Sequence, residues 1–384
     1  MKISVVTGTR AEYGLLKHLM FEIKNCNKFQ LQILVTGMHL QKEFGLTYQT
    51  IEEDGFKITK KININLNRDN PEDILSSISK GFAGFSKAYK KLKPNLVLLL
   101  GDRFELIPAA YSATINRIPI CHLHGGEETL GVIDDSTRHV LTKLSHFHFV
   151  CNKIYRKRVI QMGENPSRVF NVGGLGVDCI KKEKFFGKEE IEKILNIKFL
   201  KKTILVTFHP VTLENDTTKK YFLEILKSLQ KLKDTSIIFT YPNADPHGRI
   251  VIKMINKYCS NNSNSYAFKS LGQKKYYSIL NLVDLVLGNS SSGLLEAPTF
   301  KVPTINIGDR QTNRLKASSV IDCDPISYKI DKAIKLAYSP AFFKIIKNTK
   351  NPYGSGGASK KIMSILKKIS LKNILKKKFY DLKF

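Results

Sequence analysis

No run of about 18 uninterrupted apolar residues occurs in the 384-residue chain, so a membrane-spanning helix is not what organises it. Cys-x-x-Cys pairs are absent as well. The six cysteines, at positions 26, 121, 151, 179, 259 and 323, suit neither a disulfide framework nor a zinc ribbon, and are read as reduced thiols mostly packed inside. No apolar leader is expected: in MKISVVTGTR, Arg10 stands where a signal peptide would carry its apolar region, and a soluble, cytoplasmic chain is the expectation. There is no GxGxxG, no P-loop and no repeat strong enough for a solenoid. Acids are scarce, 33 against 62 Lys and Arg, which leaves a formal charge of +29. Only 11 of those 62 are Arg, and the Lys are spread along the chain, whereas nucleic-acid recognition favours clustered Arg with its forked donors. Neither a nucleic-acid nor a membrane partner is expected; a positive surface equally attracts an anionic small substrate.

What is present is a chain 42% hydrophobic and 10% aromatic, too apolar for disorder and too long for one core, so two domains are expected. Short apolar runs at 2–8, 31–37, 96–102, 118–124 and 146–151 alternate with helical patterns such as Leu15 to Ile23, Ile74 to Leu92 and Thr137 to Leu144. After the turn-rich NVGGLGVD (171–178) and a Lys/Glu-rich helix near 187–196, the rhythm restarts with strands at 203–210, 236–242, 282–289 and 302–308. This alternation predicts two doubly wound α/β domains with a cleft between them, divided near residue 172 with the Gly-rich piece as hinge. From Lys344 to Phe384, 12 Lys face the single acid Asp381, while Ile362, Ile365, Leu366 and Ile369 fall at helical spacing. That pattern reads as a docked helix with a solvated Lys face, with weak membrane-surface or nucleic-acid binding as the alternative.

In open α/β sheets ligands sit beyond the carboxyl ends of strands, so the polar residues following strands carry the functional question. TGTRAEYG (7–14) puts Arg10 near a helix N-terminus, a fixed cation beside backbone N–H groups that suits a diphosphate, although an ordinary turn explains it as well. LGDRFE (100–105) puts Asp102 at a strand tip, where an Asp is often only an N-cap. CHLHGGEETLGVIDDSTRH (121–139) gathers Glu127, Glu128, Asp134 and Asp135 with His122, His124, His139 and Arg138, a density hard to explain structurally. His122 with His124, and His146 with His148, share strand faces, but no third ligand is placed by spacing and no metal is expected. In the second half, His209 ends a strand, and GNSSSGLLEAP (288–298) is a strand, turn and helix start. There Ser290, Ser291 and Ser292 could hold phosphate oxygens and Glu296, one turn into the helix, ribose hydroxyls; a Ser-rich helix cap is the alternative.

Together TGTRAEYG, VTGMH (35–39), GDR (101–103), HGGE (124–127), DDSxRH (134–139), FHPVT (208–212), YPNAD (241–245), GNSSSG (288–293), IGDRQ (307–311) and NPYGSG (351–356) resemble the UDP-N-acetylglucosamine 2-epimerase family, in particular its hydrolysing branch serving sialic and legionaminic acid synthesis. The resemblance implies a GT-B fold: a Rossmann-like domain over 1–172 with the sugar and acid/base residues, a nucleotide-binding one over 173–358, and a terminal helix over 359–384 crossing back to the first. It implies a nucleotide-activated N-acetylated hexosamine as substrate, proton removal at C2 as the nucleoside diphosphate leaves, and hydration of the resulting glycal. By resemblance Asp102 and Asp134 are the acid/base carboxylates, Arg10, His209 and Ser290 to Ser292 meet the diphosphate, with His209 counted as catalytic, Glu296 meets the ribose, and Arg138 is a further substrate-binding residue. Many members carry Glu where His124 stands, so either His124 or Glu127 is the further proton-transfer group. No cofactor is expected, and a homodimer is left open. A GT-B glycosyltransferase and the non-hydrolysing epimerase are the alternative readings.

Overall fold

The computed structural model describes residues 1–66, 70–130, 132–211, 217–242 and 248–382. Gly131, Thr212 of FHPVT, Asn243, Ala244 and Asp245 of YPNAD, and the terminal Lys383 and Phe384 lie outside them. The chain folds as two compact units. One comprises Met1–Glu127, Asp134–Cys179 and the residues from Tyr353 onward; the other comprises Glu128–Ile133 and Ile180–Pro352.

The first unit is built on seven strands, β1 (Lys2–Thr7), β2 (Gln30–Val35), β3 (Lys60–Lys61), β4 (Leu96–Leu100), β5 (Ile120–Leu123), β6 (Phe147–Val150) and β7 (Val169–Asn171). They lie in the order β3-β2-β1-β4-β5-β6-β7, and every described pairing is parallel. β4 and β5 are buried throughout, which is why they read as continuous apolar runs rather than alternating ones. The order reverses between β1 and β4, and the residues leaving those two strands, Gly8 to Arg10 and Gly101 to Arg103, therefore flank the switch point at which such sheets bind ligands.

The second unit repeats the plan with β8 (Lys202–Thr207), β9 (Thr235–Thr240), β10 (Ser265–Phe268), β11 (Leu285–Gly288), β12 (Thr304–Ile307) and β13 (Val320–Cys323), in the order β10-β9-β8-β11-β12-β13, again parallel. Its switch point lies between β8 and β11, from which the His209 and Ser290 to Ser292 turns depart. Gly288 has φ 138°, and a Cβ there would stand 2.0 Å from the Thr207 carbonyl oxygen. Only glycine lets β11 leave the sheet so close to β8.

The two compact units divide at Cys179 and Tyr353. The second half of NVGGLGVD opens the helix Leu175–Lys182, and Val172 and Leu175 belong to the core of the first unit. Cys179 Sγ donates to the Gly14 carbonyl at 3.4 Å, and Asp178 accepts the N–H groups of Gly357 and Ser359 at 2.8 and 3.0 Å. The helix Ala358–Leu366 packs on the helix Arg10–Lys24 through Ile362, Met363 and Leu366. Each of these side chains contributes about 1.5–3 kcal/mol by leaving water. Among the described residues no helix is long and apolar enough to cross a membrane. Of the free cysteines, Cys121, Cys151 and Cys179 are buried, whereas Cys26, Cys259 and Cys323 are only partly so, fewer inside than expected.

Candidate active site

In the first unit the turn after β1 is closed by a capping box. Thr9 Oγ1 accepts the Glu12 N–H at 3.3 Å, and Glu12 Oε2 accepts those of Gly8 and Thr9 at 2.7 and 3.1 Å. Arg10 is the first residue of the helix. The amides of Gly8 and Thr9, expected to be open to a diphosphate, are thus engaged by the chain's own carboxylate. Burial, with Glu105 adding to it, pushes the Glu12 carboxyl up to about 8.

Asp102 does not cap a helix. The next helix, Leu106–Ile115, begins at Glu105 with no side-chain cap, and the Asp102 carboxylate instead accepts from the buried Arg138 guanidinium. The same guanidinium donates to Asp135 Oδ1 at 2.8 Å and to the Glu127 carbonyl at 3.0 Å. Burial pulls the Arg138 pKa down, but the neighbouring carboxylates of Asp102, Glu127 and Asp135 outweigh it and leave the pKa above the ordinary arginine value. Arg138 is thereby a permanent cation that ties the strand tip of β4 to HGGE and to the helix Ile133–Leu144. Asp134, in the first turn of that helix, lies 3.9 Å from Arg103 Nη1, whose Nε donates to Glu105 at 3.3 Å.

His124 follows β5 with φ 64°, a left-handed conformation unusual for a side-chain-bearing residue. Its Nδ1 lies 3.6 Å from Glu127 Oε1, and its Nε2 is 3.5 Å from the Leu175 N–H. Gly126, at φ 80°, brings the turn against the Tyr155 carbonyl, where a Cβ would meet oxygen at 2.5 Å. The structure therefore gathers Asp102, Asp134, His124, Glu127 and Arg138 around the ends of β4 and β5.

In the second unit His209 is held by its backbone. Its N–H donates to Asn289 Oδ1 at 2.7 Å and its carbonyl accepts Asn289 Nδ2 at 2.8 Å, a reciprocal pair across the switch point. The Asn289 carbonyl accepts from Arg310 Nη1 at 3.1 Å and Gln311 Nε2 at 2.9 Å, so IGDRQ braces the same turn. The helix after the Ser turn is only Ser292–Leu295, and Ser291 at its cap makes no side-chain capping bond. Glu296 is thus at the end of that single turn, not inside a longer helix, and is buried. Ser292 Oγ accepts from the Tyr276 hydroxyl at 2.7 Å.

The histidine pairs do not form a metal site by strand face. His122 Nε2 meets the Gly101 carbonyl at 2.7 Å and its Nδ1 meets Thr142 Oγ1 at 3.1 Å, while His124 lies beyond the strand. His148 Nε2 meets Glu164 Oε2 at 2.9 Å, and His146 Nδ1 accepts the Ile120 N–H. Burial pulls His39 and His122 down to about 3 and His146 to about 4. These rings are neutral in the fold and protonate more readily once unfolded, so their contribution to stability is lost as pH falls below 6.5, their ordinary value. Glu12 works in the opposite sense, losing its contribution as pH rises from 4.5 through about 8. Burial lowers His148 in the same sense, so the histidines outnumber Glu12 below 6.5, while Glu12 is the shifted group that titrates between 6.5 and about 8; the urea midpoint should be greatest near pH 6.5, and Glu12→Gln should flatten the fall toward pH 8. A midpoint still climbing through pH 8 would contradict these assignments.

The sequence reading passed over Glu12, Arg103, Cys151 and Asn289. Glu12, Arg103 and Asn289 sit inside TGTRAEYG, GDR and GNSSSG, so their positions after β1, β4 and β11 were the available signal; Cys151, alone after β6, gave none.

With this geometry in place, likeness to known proteins decides the family. A family model described as UDP-N-acetylglucosamine 2-epimerase matches residues 21–367. The chain belongs to that family. It is 45% identical, over 99% of both chains, to the GDP/UDP-N,N'-diacetylbacillosamine 2-epimerase (hydrolyzing) of Campylobacter jejuni. It is 35% identical to the UDP-N,N'-diacetylbacillosamine 2-epimerase (hydrolyzing) of Legionella pneumophila, over 96% of each chain. The crystal structure of UDP-GlcNAc 2-epimerase from Neisseria meningitidis bound to UDP-GlcNAc matches with TM-score 0.82 at 21% identity, over 96% of this chain and 100% of that one. The fold is of the GT-B type.

Proposed function

We propose that the chain is a hydrolysing 2-epimerase of a nucleotide-activated N-acetylated hexosamine, either UDP-N-acetylglucosamine or GDP- or UDP-N,N'-diacetylbacillosamine. It releases the nucleoside diphosphate and the manno-configured free sugar for nonulosonic acid synthesis. The observation that carries this reading is the likeness over 99% of the chain to a relative named as hydrolysing. The reading sets the reaction in the cytoplasm, in keeping with six free cysteines.

The C2 proton of such a sugar is not beside a carbonyl, so rupture of the C1 to oxygen bond leads and negative charge grows on the diphosphate. Arg10, His209 and the Ser290 to Ser292 turn are assigned to that charge, where preorganised donors lower the barrier most. Glu296 is assigned to the ribose. Proton removal and return occur on opposite faces of the sugar and require two groups, for which Asp102 and Asp134 are proposed, with His124 or Glu127 as the third participant. Arg138, bonded to Asp102 and to the Glu127 carbonyl, orients this set.

Turnover in deuterated water tests the route. The expected products are free UDP or GDP and a manno-configured N-acetylated sugar with deuterium at C2, read by NMR. Hydrogen retained at C2 would exclude the glycal route, and a sugar transferred to an acceptor would point to a glycosyltransferase.

A further inference from the structure

Cys151 follows β6, the strand beside β5, and its Sγ lies 3.6 Å from Glu127 Oε1. His124 Nδ1 is also 3.6 Å from that oxygen, and one ligand atom from each of the three residues lies within 4.8 Å of the others. All three are buried. Four-coordinate zinc with bonds of about 2.0–2.3 Å holds its nitrogen, oxygen and sulfur ligands roughly 3.3–3.6 Å apart, so the two contacts to Glu127 already match a filled site, and the His124 to Cys151 separation, within 4.8 Å, is the one that has to close. Imidazole, carboxylate and thiolate are a zinc-type donor set, and the two anions together cancel a divalent charge. The backbone holds them in place: the His124 N–H donates to the Phe149 carbonyl at 2.9 Å, and Gly126 abuts Tyr155. On a chain of net charge +29, cations are not gathered by the general field, so a bound one reports a specific ligand set.

We propose that His124, Glu127 and Cys151 form a binding site for one zinc-like divalent cation, and that its occupancy stops turnover. The thiol releases one proton to solvent when the sulfur–metal bond forms, and no electron is transferred. Ligation through Nδ1 places the ring proton on Nε2 and gives up the 3.5 Å contact from Leu175, together with Cys151 donation to Glu127. The inhibitory half rests on the proposed reading of His124 and Glu127 as proton-transfer candidates; the binding half does not.

Cobalt titration of the full chain, first freed of metal by chelation, tests both. One cobalt per chain should bind with a sulfur-to-cobalt charge-transfer band and the intense visible bands of a four-coordinate ion, release one proton, and be displaced by zinc. Cys151→Ser, which keeps a hydroxyl donor toward Glu127, should lose the charge-transfer band. It should weaken zinc by at least the roughly 10- to 100-fold that removing an outer-shell partner costs. Cys151→Ala and thermal melts control for folding, and X-ray absorption of the zinc-loaded wild type should show one sulfur ligand. An unchanged cobalt spectrum in both variants, or no binding at micromolar zinc, overturns the site. Wild-type turnover should fall with zinc occupancy and return on chelation. Zinc held through Cys151 with turnover intact overturns the inhibition and the acid/base reading of His124 and Glu127, while the metal-free chain failing to turn over any nucleotide sugar overturns the proposed function and leaves the cobalt result to decide the site.

Discussion

Asp102→Asn and Asp134→Asn should each lower kcat by roughly 100-fold to 10,000-fold, the range for a carboxylate that itself transfers the proton. Asparagine keeps the shape and one acceptor oxygen, so the amide in Asp102→Asn can still receive the Arg138 guanidinium that the carboxylate receives in the wild type. What it removes is the ability to take up a proton. A loss smaller than tenfold, with folding intact, would reduce both carboxylates to partners of Arg138 and Arg103. His124→Asn separates the remaining candidates through the pH–rate profile. His39 and His122 are held down at about 3 by burial and cannot produce a limb near neutrality. An acidic limb at about 6–7 that vanishes or moves in His124→Asn assigns the base to His124. An unchanged limb at near wild-type rate transfers the role to Glu127 or a neighbouring carboxylate.

How much of this was legible in the chain depended on whether a feature was local. Strands buried on both faces, such as Leu96–Leu100, announce themselves as apolar runs, and the residues following them were found by counting past the run. Two-residue β3 and the half-exposed edge strand β13 carry no such run, and neither was expected. In the Gly-rich 171–178 segment the Gly174 N–H is fixed to the Tyr353 carbonyl at 2.7 Å, a partner 179 residues away that no local pattern announces. The carboxylate cluster was visible as composition. Its internal order was not, because Arg138 reaches Asp102 across 36 residues and only the β4-β5 register brings them together. Likewise Ser-rich GNSSSG drew notice to its hydroxyls, while the residue that fixes His209 is Asn289, through a pairing made across 80 residues. Periodicity and turn chemistry are written locally; hydrogen-bond partners at long separation are written in the sheet order.

Arg10→Ala and His209→Ala should each cost roughly 100-fold or more in kcat, the loss expected on removing a preorganised donor aimed at charge that develops only in the transition state. The diphosphate is already anionic when bound, so these groups also contact it in the ground state, but the bond to C1 must break before they gain their full interaction. KM should therefore change less than kcat. The two residues reach this role by different local means. Arg10 opens a helix whose nearest amides are taken by Glu12, so the role assigned to this turn rests on the Arg10 side chain rather than on the Gly8 and Thr9 N–H groups. His209 depends on Asn289, whose side chain grips the N–H and carbonyl of the histidine itself. Asn289→Ala should thus reproduce part of the kcat loss of His209→Ala, and the double variant should lose less than the product of the two single losses, because both act on one imidazole. Rises in KM alone, with kcat intact, would make Arg10 and His209 ground-state binders and move the transition-state role to the Ser290 to Ser292 turn. Losses that multiply fully in the Asn289 and His209 pair would show that Asn289 acts on something other than the position of His209.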